Sequence, residues 1–322
     1  MSLAGACVGS REASIESIVE PYLKPNQGGV AIAVLREDKV VFRGGFGPAD
    51  RERGLPVTPE TVFDLASLSK QFTGIAVLML AKRGQLSMDE DVRRFVPELP
   101  LFDPHRPIRI VDLSRHRSGL REFPRGDKPP TEADILGWLS QQTELKFATD
   151  TRWDYVNLNY FLLARVVERV SGKTLREFLA DEVFGPSGMK NAQVLARLDA
   201  EIRGRAVGYC FGRPCNGDDG LTGPGGVFAS LDDMIAWDSS LTRGTLAKLD
   251  ELVEAAALGY GLGWRAVSHG GHRALEHDGD AIGTRTYLVH YLDPPVTIII
   301  LSNQTRFEVE KLERSVADRF LN

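Results

Sequence analysis

Ser67-Leu68-Ser69-Lys70 places a hydroxyl and an amine three residues apart where a strongly apolar stretch begins. Residues three apart on a helix share a face, so the Lys70 amine can reach the Ser67 hydroxyl. A helix start also offers unpaired N–H groups and a partial positive charge, which suit a developing oxyanion and favour a neutral Lys70 amine as base. The competing structural role for Ser67 is an ordinary N-cap. A chain of this composition yields roughly 0.6 Ser-x-x-Lys spacings by chance. A second copy exists, Ser187-Gly-Met-Lys190, but it follows Gly185-Pro186 and contains Gly188, so it reads as a turn with no helix to align the pair.

Two further elements could complete a site. Tyr155-Val156-Asn157 precedes a helical pattern that starts near Leu158. Tyr155 could be a core ring with its hydroxyl at the surface. Equally, its phenol beside Lys70 could serve as general base, with Asn157 bonding a substrate. His277-Asp278-Gly279 lies near a strand end, ahead of Gly283. A second His-x-Gly, His269-Gly-Gly271, falls in a turn between strands, so His277 is preferred.

The elements that must hold these residues follow from periodicity. Arg11 to Leu23 reads as an amphipathic helix, and Val30 to Leu35 with Val40 to Phe46 as a hairpin around Arg36–Lys39. From Ser67 the period becomes helical, with Gly84 as a stop. Helical patterns follow at Glu132–Leu139, Leu158–Val170, Leu175–Val183 and Leu231–Leu241. The tail returns to strands at Tyr260–Val267, Arg273–His277, Thr284–Tyr291 and Val296–Leu301, then a helix over Phe307–Phe320. Strands at both ends with a helical middle predict an α/β (α+β) fold. Its antiparallel sheet is built from both termini and flanked by helices, with a mostly helical inserted domain. The boundaries expected are 1–65 with 258–322 for the sheet domain and 66–257 for the helical one, with a cleft between them.

Composition narrows the classes. The chain has 322 residues, 43% hydrophobic and 26% charged, which excludes disordered and fibrous classes. A formal charge of -5 without a Lys/Arg run argues against nucleic-acid partners. The longest strongly apolar run, Gly74 to Ala81, falls far short of the ~20 residues that cross a bilayer. A catalytic unit of the kind described above would take a small-molecule or peptide substrate as its partner. Three cysteines build no disulfide framework: Cys210 and Cys215 either pair across a short loop or stay free. Leu3 to Cys7 lacks the charged and apolar stretches of a lipoprotein leader, and the compartment stays open between cytoplasm and periplasm or secretion.

At this point the residues carry a resemblance. Phe63 to Thr73 resembles the nucleophile helix of the serine β-lactamase and penicillin-binding-protein superfamily, most closely the class C β-lactamase, D-aminopeptidase and family VIII esterase group. His116–Leu120, Tyr155-Val-Asn157, Gly225-Gly226, Tyr260–Trp264 and His277-Asp-Gly279 match in the same order, from about Gly28 to Asn303. The resemblance implies a β-lactamase/transpeptidase-like fold and a covalent acyl-enzyme at Ser67. Lys70 and Tyr155 would share general acid and base duties. Asn157, His277, Gly279 and Asp280 would bind substrate, and the Ser67 and Asp280 N–H groups would form the oxyanion hole.

Two departures stand out. His277 replaces a lysine common in β-lactamases of this type, and Asp280 replaces a small residue. Together they point to esters, D-amino-acid amides or peptides rather than efficient β-lactam hydrolysis. The rival reading is a non-catalytic relative that binds a peptide or cell-wall ligand; such a copy would be expected to lose Ser67, Lys70 or Tyr155, and this chain keeps all three. A metal site among His269, His272, His277, Asp278 and Asp280 lacks any organised ligand spacing, so neither metal nor cofactor is expected.

Overall fold

The computed structural model describes residues 15–124, 126, 129–195, 201–217 and 221–321. Seven strands form one antiparallel sheet: β1 (Val30–Arg36), β2 (Lys39–Phe46), β3 (Tyr260–Gly261), β4 (Trp264–His269), β5 (His272–Ala281), β6 (Thr284–Leu292) and β7 (Pro295–Ser302). Their order is β3-β4-β5-β6-β7-β1-β2, so the two ends of the chain meet in the middle, with Val30 opposite Ser302 and Arg36 opposite Val296.

The alternation of side chains along each strand decides what covers the sheet. Val30, Ile32 and Val34 of β1 share one face with Ile298 and Ile300 of β7. There they pack under Ile15, Val19 and helix residues Leu312 and Val316. Ala31, Ala33 and Leu35 share the other face with Ile299 and Leu301, under Phe72, Ile75 and Trp237. Both faces are covered, so β1 and β7 read as continuous apolar runs rather than alternating ones.

Four helices matter for the site: α1 (Ser69–Lys82), α2 (Asn157–Ser171), α3 (Leu231–Thr242) and α4 (Val309–Ala317). The last covers one face of the sheet, and the first three lie on the other. A small three-stranded sheet of Val62–Asp64, Val227–Ser230 and Gln193–Val194 leads the chain into α1. Sequence periodicity does not reveal it.

Three sequence expectations are refined. Tyr260–Val267 is two strands rather than one, because Leu262 (φ 50°) and Gly263 (φ 85°) turn the chain between them. Helix α1 starts at Ser69, and Ser67 itself sits in a 3-10 turn, Ala66–Leu68. Cys210 and Cys215 pair, with Cα atoms 5.7 Å apart, across a hairpin of Tyr209–Cys210 and Arg213–Pro214. Cys7 and the first part of the expected Arg11–Leu23 helix lie outside the described residues; residues 15–19 are helical and Glu20–Tyr22 form a 3-10 turn. Among the described residues, no helix is long and apolar enough to cross a membrane.

Candidate active site

Ser67 owes its position to a strained turn held from three sides. Val62–Asp64 pairs with Val227–Ser230, and the chain then bends through Ala66, whose φ of 47° is left-handed and costly for a residue with a Cβ. The Asp64 carboxylate accepts from the Ala66 N–H at 2.8 Å. From β6, Thr284 and Thr286 donate their hydroxyls to the Asp64 and Leu65 carbonyls, each at 2.9 Å. From β5, Gly279 lies so close that a Cβ there would overlap Thr286 Oγ1 and the Leu65 carbonyl oxygen. The third sequence element thus meets the first through backbone contact, which only glycine permits.

Lys70 is fully buried one helical turn on. Its Nζ donates to Ser67 Oγ at 3.0 Å, Asn157 Oδ1 at 2.8 Å and the Pro224 carbonyl at 2.9 Å. These three oxygens fix the amine beside the Ser67 hydroxyl. The same group lies 4.8 Å from the Tyr155 ring centre and 5.8 Å from that of Tyr160. The segment around Pro224 is fastened to α1 by Thr73 Oγ1, which donates to the Gly223 carbonyl at 2.8 Å, and by Ser69 Oγ, which accepts from the Val227 N–H at 3.1 Å. On the opposite side, Gly74 and Gly263 let the β3–β4 turn touch the α1 backbone directly.

Tyr155 enters on the turn before α2, and Asn157 is the first residue of that helix. His116 supports that turn: its Nδ1 accepts from the Val156 N–H at 3.2 Å, so the neutral ring carries its proton on Nε2. Ser118 donates to Asn159 Oδ1 at 2.7 Å, and Asn159 lies 3.1 Å from the same His116 nitrogen. Burial, with the Lys70 charge second, holds the His116 pKa well below the ordinary histidine value. Burial also pushes the Tyr155 phenol up, against the smaller opposing influence of the Ser67 hydroxyl, so Tyr155 is protonated at neutral pH.

Sequence reasoning missed Glu122 and the Pro224 carbonyl. The Glu122 carboxylate accepts from the Asn157 N–H at 2.6 Å and the Leu158 N–H at 3.2 Å, the first two N–H groups of α2. The N-cap residue Val156 supplies no side-chain bond. Only the closeness of Glu122 to His116–Leu120 could have hinted at its place.

His277 is brought to the site yet fully buried. Its Nδ1–H donates to the Asp278 carbonyl at 2.6 Å and its Nε2 accepts from the Tyr260 hydroxyl at 2.8 Å. Burial, then the nearby Arg265 charge, holds its pKa well below the ordinary value; it is a neutral ring packed behind Tyr155 at 6.1 Å. Asp280 reaches the opposite rim, largely exposed and paired with Arg285 at 2.7 Å. His269 bonds Glu276 at 2.7 Å, away from Ser67 among the residues under the other face of the sheet. In the second Ser-x-x-Lys, Gly188 at φ 78° ends the short helix between Ser187 and Lys190. Among the described residues, no group of three or more His, Cys, Asp or Glu could hold a metal.

Ser67 opens onto a cavity of about 350 Å³ whose described walls include Glu122, Asn157, Pro224, Asp280 and Ile282. Among the described residues, three acidic ones line it, Asp64, Glu122 and Asp280, and no Lys or Arg does.

Comparison with known proteins places the chain in a family and a fold. Residues 15–321 match the Beta-lactamase family model. A D-aminopeptidase of Brucella anthropi is 32% identical over 316 residues, covering 91% of this chain and 58% of that protein, so the chain spans somewhat over half the length of the curated relatives it matches. The D-aminopeptidase of Brucella canis is 30% identical, over 91% of this chain and 59% of its own. A penicillin-binding protein homologue from Pyrococcus abyssi, described as octameric, superposes with a TM-score of 0.82 at 22% identity, over 98% of this chain and 77% of its own. The D-amino acid amidase of Ochrobactrum anthropi SV3, complexed with L-phenylalanine amide, does so at 0.80 and 21% identity, over 97% and 98%. These two solved structures share the fold, an antiparallel sheet with helices on both faces. With the family model matched from residue 15 to residue 321, this chain belongs to the Beta-lactamase family.

Proposed function

We propose that this chain is a serine hydrolase that forms a covalent acyl-enzyme on Ser67. The observation that carries the reading is the 3.0 Å contact between Lys70 Nζ and Ser67 Oγ, with the Tyr155 ring packed against Lys70 and Ser67 opening onto a cavity. Ser67 Oγ attacks the acyl carbonyl while its proton passes to the Lys70–Tyr155 pair, which enters this step one proton short of its ammonium–phenol form. The backbone N–H groups of Ser67 and Asp280 stabilise the oxyanion. The pair then returns the proton to the departing alkoxide or amine, and water attacks the acyl-enzyme by the reverse route, freeing the acid and Ser67.

The substrates are esters or D-amino-acid amides and peptides with a small acyl part, since about 350 Å³ is near the lower end of ligand pockets. The D-aminopeptidase relatives support that class. The electrostatics disfavour a substrate carboxylate: His277 is neutral and the described cavity wall carries three acidic side chains and no basic one. Penicillins are therefore poor substrates in this reading.

Intact-mass measurement after mixing with a p-nitrophenyl ester, a D-amino-acid amide and a penicillin tests it. The expected result is an acyl adduct or product burst with the ester or amide that disappears in Ser67→Ala. Equal turnover by Ser67→Ala would overturn it.

A further inference from the structure

We propose that Glu122 is a positioning residue for the catalytic unit, its carboxylate fixing Asn157 and, through it, Lys70. The proposal rests on the reading of Ser67, Lys70 and Tyr155 as that unit.

Helix α2 begins at Asn157 with no cap from its own N-cap side chain, because Val156 has none to offer. Its leading N–H groups would otherwise face the cavity unpaired. Glu122, 35 residues earlier in sequence, supplies both missing acceptors, Oε2 for Asn157 and Oε1 for Leu158. A carboxylate at a helix N-terminus also complements the helix dipole, and its bonds are charge-assisted. The residue so clamped is the one whose Oδ1 holds Lys70 Nζ at 2.8 Å. Its neighbour two residues back is Tyr155, which packs on Lys70. A single carboxylate therefore sets the distance between the second element and the nucleophile helix.

The local chain explains why no nearer residue does this. His116 Nδ1 and the Ser118 hydroxyl bond Val156, Asn159 and Leu120 on the buried side of the turn. The cavity side is left to Glu122, which forms part of the wall. Loss of the clamp frees Asn157 to follow solvent rather than Lys70, and a displacement of about 1 Å at such a unit costs on the order of 100-fold in rate.

Steady-state kinetics of the full chain with a p-nitrophenyl ester, for Glu122→Ala and Glu122→Gln, test the idea beside Ser67→Ala. Expected is a fall in kcat of roughly ten- to a hundredfold for Glu122→Ala with KM within about twofold. Glu122→Gln should keep a larger share of kcat, because its one carbonyl oxygen still accepts an N–H bond. Near-isosteric Gln also keeps the test open should the Ala variant fail to fold. A rise in KM at constant kcat in either variant would make Glu122 a substrate contact and overturn the proposal, as would unchanged kinetics in both. If Ser67→Ala retains full turnover, the underlying assignment has failed, an outcome separable from any result at Glu122.

Discussion

Two layers of polar groups lie one behind the other at the Ser67 end of the sheet, and they behave differently. In the front layer, Ser67, Lys70, Asn157 and Glu122 bond to one another, and all but Lys70 face the cavity. In the rear layer, His116, Tyr160, Tyr260 and His277 are fully buried, with ring centres 4.7–6.4 Å apart. The front layer surrounds the Lys70 amine with three oxygens. The rear layer is kept neutral by burial: both histidines are pushed down and both tyrosines up. Motif residues thus divide into those that can do chemistry and those that keep a dry, uncharged wall behind it.

The comparison is broken most directly at the front. Lys70→Ala should lower ester kcat by at least on the order of 10³-fold, since members of such a unit are not separately dispensable. Stopped-flow or steady-state assays read this, and a loss below tenfold would mean that Lys70 is scaffold. Next in size is Gly279→Ala. Its new Cβ overlaps Thr286 Oγ1 and the Leu65 carbonyl, so the Ser67 turn must move. A fall of about 100-fold in kcat/KM is expected, and near-normal activity would show that the turn can shift without consequence.

How far this arrangement was legible depends on the range of each interaction. The strands of the large sheet follow from apolar runs such as Val30–Leu35 and Val296–Leu301, because burial on both faces leaves little ambiguity. Ser67 and Lys70 were legible because a helical turn joins them. Glu122 was not, because it caps a helix 35 residues away, and neither was the Pro224 carbonyl, 154 residues from Lys70. Backbone carbonyls carry no sequence signal at all. The strands Val62–Asp64 and Val227–Ser230 are too short for a period to emerge. His277 shows a further gap: it reads as the end of a strand, whereas β5 runs on through it to Ala281, and its burial against Tyr260 depends on a β3–β4 turn that reads as one continuous strand.

The rear layer gives smaller effects, on stability rather than rate. His277→Lys would place an amine in a pocket where Nε2 now accepts from Tyr260 and where Arg265 is already near. A loss of about 2–4 kcal/mol is expected, the range for an unpaired buried charge or orphaned partner. Denaturant unfolding measures it. If the variant proved as stable as the parent and gained activity on carboxylate-bearing β-lactams, His277 would belong to the front layer.

The smallest effect is a pH slope, and its sign follows from the histidines. A ring whose folded pKa lies below its unfolded value of about 6.5 binds its proton more readily in the unfolded chain. Stability is then complete above pH 6.5 and declines as the pH falls below it, by up to about 1.4 kcal/mol per pH unit for each ring. His116 and His277 both act in this direction. Glu168 and Glu313, whose carboxyls burial pushes up, act in the opposite one, because they lose stability as the pH rises through their folded values. The total slope is therefore less informative than a difference. In His277→Gln the amide oxygen can still accept from the Tyr260 hydroxyl, while nothing titrates. Between pH 6.5 and 5 the variant should show a shallower decline than the parent, by about one proton's worth, in paired denaturant titrations. Equal slopes would mean that His277 keeps an ordinary pKa and that the wall behind Tyr155 is wetter than its packing indicates.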